Sequence, residues 1–156
     1  MPQRSFRLGR SATGLGLFAV KPIKRRAYIA TYRGQRITTE EADRREARGA
    51  RYMFTLNSLW SVDGSPRWNV ARYINHSCKP NAEPVKRRGW MVIVALRRIE
   101  PGEEITYDYG REYFQYFIEN GGCRCSRCRE RKARRRRKLR LTRTARLRRR
   151  SAPKRL

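Results

Sequence analysis

Arg72-Tyr-Ile-Asn-His-Ser-Cys-Lys-Pro-Asn81 holds the only histidine of the chain and one of its four cysteines. An amide, an imidazole, a hydroxyl and a thiol follow one another in it, and Pro80 keeps Cys78-Lys79 extended or turn-like. The run reads either as a polar site segment or as a capped turn with a cysteine packed beside it, because Asn, Ser and Pro are ordinary turn residues. By itself it does not decide between the two.

Outward from this run, the pattern is that of short strands. Downstream, Trp90-Met-Val-Ile-Val-Ala-Leu96 is the most apolar stretch and is predicted to be a central buried strand. Pro101-Gly102 then turns the chain into Glu104-Ile-Thr-Tyr107, and Glu112 to Ile118 is predicted to be a short aromatic helix. Upstream, Gly14-Leu-Gly16 leads into the apolar Leu17-Phe-Ala-Val20, and Ala27 to Tyr32 reads as a strand ending at Gly34. Thr38-Thr-Glu-Glu41 is a capping-box pattern, so a surface helix is expected up to Gly49. Tyr52 to Asn57 and Leu59 to Asp63 are predicted to be paired strands.

Four pieces in this order, Gly14-Leu-Gly16, Asn75-His-Ser-Cys78, Glu104-Ile-Thr-Tyr-Asp-Tyr109 and Cys123-Arg-Cys-Ser-Arg-Cys128, resemble the SET-domain protein lysine methyltransferases over about Arg7 to Cys128. The resemblance implies a mainly β fold: several small β-sheets with short helices and a knot-like C-terminal crossing, closed by a post-SET zinc segment. It divides the chain into a SET domain over 5–110, a zinc-binding segment over 111–128 and a basic, disordered or partly helical tail over 129–156. It implies methyl transfer from S-adenosyl-L-methionine to a lysine amine. In the family's pattern Tyr109 is the catalytic tyrosine, Tyr107 limits how many methyls fit, and Tyr52 points into the active site. Gly14, Leu15, Gly16, Asn75 and His76 hold the cofactor, and Tyr32 matches a cofactor or channel position. A tyrosine at 107 adds a hydroxyl that crowds a larger product, so mainly mono- or dimethylation is expected. Residue chemistry agrees, since tyrosine faces tolerate an alkylammonium and their hydroxyls orient it.

The remaining thiols fall in one crowded turn. Cys123, Cys125 and Cys128 lie too close together for comfortable mutual disulfides, whereas tetrahedral zinc accepts four thiolates. With Cys78 they form a candidate structural Zn2+ site, reduced free thiols being the alternative. Three features depart from the family. Two residues rather than four separate Cys125 from Cys128. Arginines follow the last cysteine where relatives carry an aromatic over the adenine, leaving Tyr113, Phe114, Tyr116 and Phe117 as candidates for that wall. Thr31-Tyr-Arg-Gly-Gln35 lacks the two carboxylates of the usual Glu-Tyr-x-Gly-Glu.

At 156 residues there is room for one domain and an appendage. No apolar run reaches the ~20 residues that cross a bilayer, and no secretory signal is evident, so a soluble intracellular protein is expected, cytoplasmic in a bacterium or nuclear in a eukaryote. The net charge is +27; residues 129–156 carry 16 Lys and Arg against one acid, and residues 1–128 carry 24 against 12. Such a field favours nucleic acid or acidic proteins as neighbours and gives a competing reading, a zinc-stabilised basic binding module with a silent body. It also opposes a basic substrate such as a histone unless local acidic patches compensate. Automethylation of Lys132, Lys138 or Lys154 is a further expectation. Oligomeric state is not legible.

Overall fold

The computed structural model describes residues 4–150, with side chains to residue 144, so Lys154 lies outside it. Ten short strands carry the fold, as the mainly β expectation requires, in three small sheets. β1 (Phe6–Ser11) and β2 (Gly14–Ala19) form a hairpin that continues through β10 (Glu104–Tyr107) to β7 (Asn75–His76). β3 (Tyr28–Tyr32), β9 (Trp90–Ala95) and β8 (Ala82–Arg87) make the second sheet, with β9 in the centre. That position suits the predicted apolar run: neighbours on both edges satisfy its backbone, and the consecutive buried residues Val92 to Ala95 show that both of its faces are covered. β4 (Gln35–Thr38), β6 (Trp60–Asp63) and β5 (Met53–Thr55) make the third, and β5 pairs antiparallel with β6 as the sequence leads one to expect.

Helix α1 (Thr39–Ala47) begins where the capping box puts it, with the Glu41 amide donating to Thr38 Oγ1 at 3.2 Å. Arg45 then joins the helix to β6 through a 2.7 Å bond from its Nη1 to Asp63 Oδ2. A 3₁₀ turn (Val70–Tyr73) leads into β7. After β10, α2 (Arg111–Tyr113) continues as a π-helical turn over Phe114–Ile118. The last helix, α3 (Ser126–Arg150), carries the final cysteine in its first turn, and its side chains from Arg129 to Thr144 are exposed.

One core unites the sheets, with Leu17, Ile74, Ile93, Ile99 and Ile105 essentially inaccessible. Fully burying each such side chain stabilises the fold by about 1.5–3 kcal/mol. A separate small cluster joins the four cysteines to Phe114 and Ile118. The C-terminal segment is therefore attached to the body without sharing its core.

Candidate active site and metal centre

The site is built on one long-range pairing. β7 and β10 run parallel, which sets Thr106 opposite Asn75 and Tyr107 opposite His76. Parallel neighbours require a crossover, and here the chain between them makes the β8–β9 hairpin of another sheet. Asn81, 4% exposed, clamps the join: its amide side chain receives the Thr106 N–H at 2.8 Å and donates to the Glu104 carbonyl at 2.8 Å. The Asn81 N–H donates to the Thr106 carbonyl, and the Ser77 N–H to the Tyr107 carbonyl. The quoted run is thus paired with the strand that ends at Tyr107, and it bends at Cys78-Lys79, where the Lys79 N–H donates to Ser77 Oγ at 3.1 Å.

Tyr109 lands beside that segment. Its Oη donates to the Ile74 carbonyl at 2.7 Å, and its N–H donates to His76 Nδ1 at 3.2 Å. An Nδ1 that accepts leaves the imidazole proton on Nε2, which faces Cys78 Sγ at 3.4 Å. Burial lowers the His76 pKa, against the opposing pull of Asp108, and so favours this neutral ring. The imidazole therefore ties the tyrosine loop to the cysteine cluster. Phe114 closes on the same ring, with centroids 5.2 Å apart, and is the one adenine-wall candidate of the four with such a contact to His76.

Asn75 Nδ2 reaches the Leu15 carbonyl at 3.0 Å and Glu104 Oε1 at 2.8 Å, drawing the Gly14-Leu-Gly16 strand to the same place. A side chain at Gly16 would displace the Glu104 carboxylate from Asn75, because an added Cβ would lie 2.6 Å from Glu104 Oε1 and 3.1 Å from Asn75 Nδ2. Asn75 and His76 line a cavity of about 210 Å³ whose other wall includes Arg124, Cys125 and Ser126.

A second, larger cavity of about 670 Å³ is lined by Tyr32, Tyr52, Phe54, Tyr107, Tyr109 and Tyr113 among others. Tyr32 belongs to this cavity, not to the pocket of Asn75 and His76. The rings interlock: Tyr107 and Tyr109 centroids are 4.9 Å apart, and Tyr109 and Tyr113 5.1 Å apart with nearly perpendicular planes. Burial pushes the phenols of Tyr107 and Tyr109 well above their ordinary range, so both remain neutral at pH 7. As neutral phenols neither is a phenolate base, and the Tyr109 hydroxyl is the one of the two with a hydrogen bond among the described residues.

Tyr52 is held in an unusual way. Its φ is +72°, a left-handed conformation that costs a non-glycine residue about 1–2 kcal/mol. Its carbonyl receives Tyr32 Oη at 2.9 Å and the Gly64 N–H at 2.8 Å, which fixes the conformation, and the Arg72 guanidinium stacks 4.0 Å from its ring centroid. Gly64 is also required sterically, since a Cβ there would sit 2.3 Å from the Tyr32 ring. Sequence reasoning missed Gly64, Arg72 and Asn81; of these only Asn81, closing the polar run, carried a visible signal.

The four cysteines are free thiols, their Sγ atoms all within 4.8 Å of one another. Cys78 Sγ lies 3.7 Å from both Cys123 Sγ and Cys128 Sγ. Four thiolates at ~2.3 Å from a tetrahedral zinc are separated by about 3.8 Å, so the donor set and its spacing fit this ion. Burial and shared protons push the Cys78 thiol up. Cys125, which burial alone would raise, is drawn down to about 7 by the backbone N–H groups of Cys78 and Cys128 and by neighbouring thiols.

The family profile for the SET domain matches residues 14–110, more than half of the chain. Human histone-lysine N-methyltransferase 2D is 42% identical over 106 residues, covering 62% of this chain and 2% of the relative. Among solved structures, Chaetomium thermophilum Polycomb Repressive Complex 2 bound to GSK126 aligns with a TM-score of 0.61 at 32% identity, covering 69% of this chain and 16% of that one. A second, ctPRC2 in an autoinhibited conformation bound to S-adenosylmethionine, aligns with a TM-score of 0.59 at 32% identity, covering 69% and 15%. The chain thus spans only a small part of the relatives it matches.

Proposed function

Because the chain belongs to the SET-domain family, we propose that it is a protein-lysine N-methyltransferase using S-adenosyl-L-methionine, acting on a histone or another nucleic-acid-associated protein. The observation that carries this reading is that Tyr109, which lines the tyrosine cavity, has its amide on His76, a wall residue of the smaller pocket, and its hydroxyl on the carbonyl preceding Asn75. We assign the pocket of Asn75 and His76, with the nearby Gly14-Leu-Gly16 strand, to the cofactor, and the tyrosine cavity, Tyr32 included, to the substrate. S-adenosyl-L-methionine supplies an electrophilic methyl group on a sulfonium. The residues of this chain prepare the amine. A lysine side chain has a pKa near 10.4 in water, and an aromatic channel that disfavours the ammonium lowers it toward the reactive neutral form. Tyr52, Tyr107 and Tyr109 present faces to the alkyl stem, and the Tyr109 hydroxyl and the Ile74 carbonyl place oxygen beside the nitrogen that becomes cationic. In-line geometry does the rest.

The Tyr107 hydroxyl makes no hydrogen bond among the described residues and is free to hold a water in the channel. We infer mainly mono- or dimethylation from it. In this reading residues 5–110 form the catalytic body, 111–128 the zinc segment that closes the cofactor pocket, and 129–156 a basic tail contacting nucleic acid. That tail, exposed from Arg129 to Thr144, favours work on chromatin and hence in a nucleus. No helix of the described residues is long and apolar enough to cross a membrane.

Incubation with methyl-labelled S-adenosyl-L-methionine and core histones tests the proposal. Labelled lysine is expected with the wild type and a loss of about 100-fold or more in Tyr109→Phe, comparable to removing one transition-state hydrogen-bond donor. Absence of transfer to any histone or basic protein, or near-normal transfer by a folded Tyr109→Phe, refutes it.

A further inference from the structure

The net charge poses a problem for a basic substrate, and the tyrosine cavity answers it. In residues 1–128 basic residues outnumber acids two to one. At the cavity that excess disappears: Asp43, Glu46 and Glu112 line it against Arg72 and Arg111. Arg72 is stacked on Tyr52 and Tyr73 with its Nη1 on the Ser65 carbonyl, while its buried Nε has no partner among the described residues. Arg51, which stacks 5.8 Å from the Phe117 ring centroid, is the other cation facing this region.

The three carboxylates are available. The other two acids of α1, Glu40 and Glu41, pair with Arg44 and Arg45. Asp43, Glu46 and Glu112 make no ion pair or hydrogen bond among the described residues. Asp43 and Glu46 are three apart on one helix and so neighbour each other on its surface. Burial of Glu46, with the charge of Asp43 adding to it, raises the Glu46 pKa. Deeper in the cavity, Tyr107 is only 7% exposed, yet its hydroxyl is unpartnered among the described residues. The cavity thus has an aromatic floor with a spare hydroxyl and a mouth of unpaired negative charge.

We propose that Asp43, Glu46 and Glu112 form a cation-selecting rim that takes an arginine or lysine side chain flanking the target lysine, so that this chain selects lysines in basic sequence. The inference rests on the proposed function for its substrate cavity and goes beyond it by naming a specificity device. A peptide of either charge is repelled or attracted by the body as a whole; only the rim discriminates at the mouth. A flanking guanidinium would pair with these carboxylates while the lysine stem enters between Tyr52 and Tyr107. Exposed charge pairs of this kind are salt-sensitive and contribute modestly one by one, but three in a row set a preference.

The test uses two fluorescein-labelled peptides with one central lysine, flanked on both sides either by arginines or by glutamines, and the full chain. Fluorescence anisotropy is expected to give about tenfold tighter binding of the arginine peptide at low salt, equivalent to about 1.4 kcal/mol, and a smaller ratio at high salt. In Asp43→Asn/Glu46→Gln/Glu112→Gln that ratio should fall toward one, and the single Glu46→Gln, which removes no packed group, should lower it partway. Circular dichroism melting verifies that each variant is folded. A ratio near one in the wild type, or a preference that survives the triple substitution, overturns the proposal. So does an equal loss of affinity for both peptides. Methyl transfer to the same peptides is read separately: no transfer to either, with the binding preference intact, sinks the enzymatic reading and leaves the rim standing.

Discussion

Replacing Cys78 by serine should undo the attachment of the C-terminal segment while sparing the body. Cys78 is the one cysteine contributed by the β7 region, and its sulfur stands 3.7 Å from those of Cys123 and Cys128. Apart from the thiols, the segment is held near the site by the Arg127 Nη1 bond to the Cys78 carbonyl at 3.2 Å, by the Phe114–His76 and Tyr113–Tyr109 ring contacts and by Arg51 over the Phe117 ring. Such a hydrogen bond is worth about 1 kcal/mol and such a ring pair about 0.5–1.5 kcal/mol. A structural zinc contributes on the order of 10 kcal/mol, so most of the attachment passes through the metal. The cysteine cluster is separate from the main core, which locates the damage. The wild type is expected to carry one zinc per chain by elemental analysis, released by a strong chelator. Cys78→Ser should weaken the metal at least as much as the ~10–100-fold that loss of an outer partner costs. Limited proteolysis should then cut within 111–125, with the body largely protected. A chain that purifies without metal, with four thiols reacting at once and an unchanged cleavage pattern, would refute the reasoning.

Tyr107→Phe should shift the product toward higher methylation, read by mass spectrometry of a lysine peptide; an unchanged distribution removes the role given to that hydroxyl. Gly64→Ala should destabilise the chain by about 1–3 kcal/mol, the cost of overpacking, because the new methyl meets the Tyr32 ring at 2.3 Å; a melting temperature within a degree of wild type contradicts it. Asp63, despite the burial that works the other way, has its pKa lowered below 3.8 by Ser65 and Arg45. A carboxylate depressed in the folded state stabilises above its unfolded pKa and loses that contribution as pH falls through the folded value. Asp63→Asn should therefore lower stability at pH 7 and flatten its acid dependence below pH 4 in urea titrations; parallel pH profiles for the two proteins would count against this.

The sequence by itself determined what short-range chemistry specifies. The capping box placed the start of α1, the apolar Trp90 run gave the central strand, and the crowded thiols announced a metal cluster, because capping, burial and ligand spacing each act within a few residues. The resemblance carried by four short motifs gave the family. The tertiary structure decided the rest. Parallel pairing of β7 with β10 brings His76 opposite Tyr107 across thirty intervening residues, and no local pattern encodes that register. It also showed that the one imidazole bridges Tyr109 and Cys78, that Tyr32 faces the larger cavity, and that three unpaired acids from α1 and α2 share its mouth. In the sequence those acids are indistinguishable from a solvated helix face, since charge acquires a target only when distant elements close around one space.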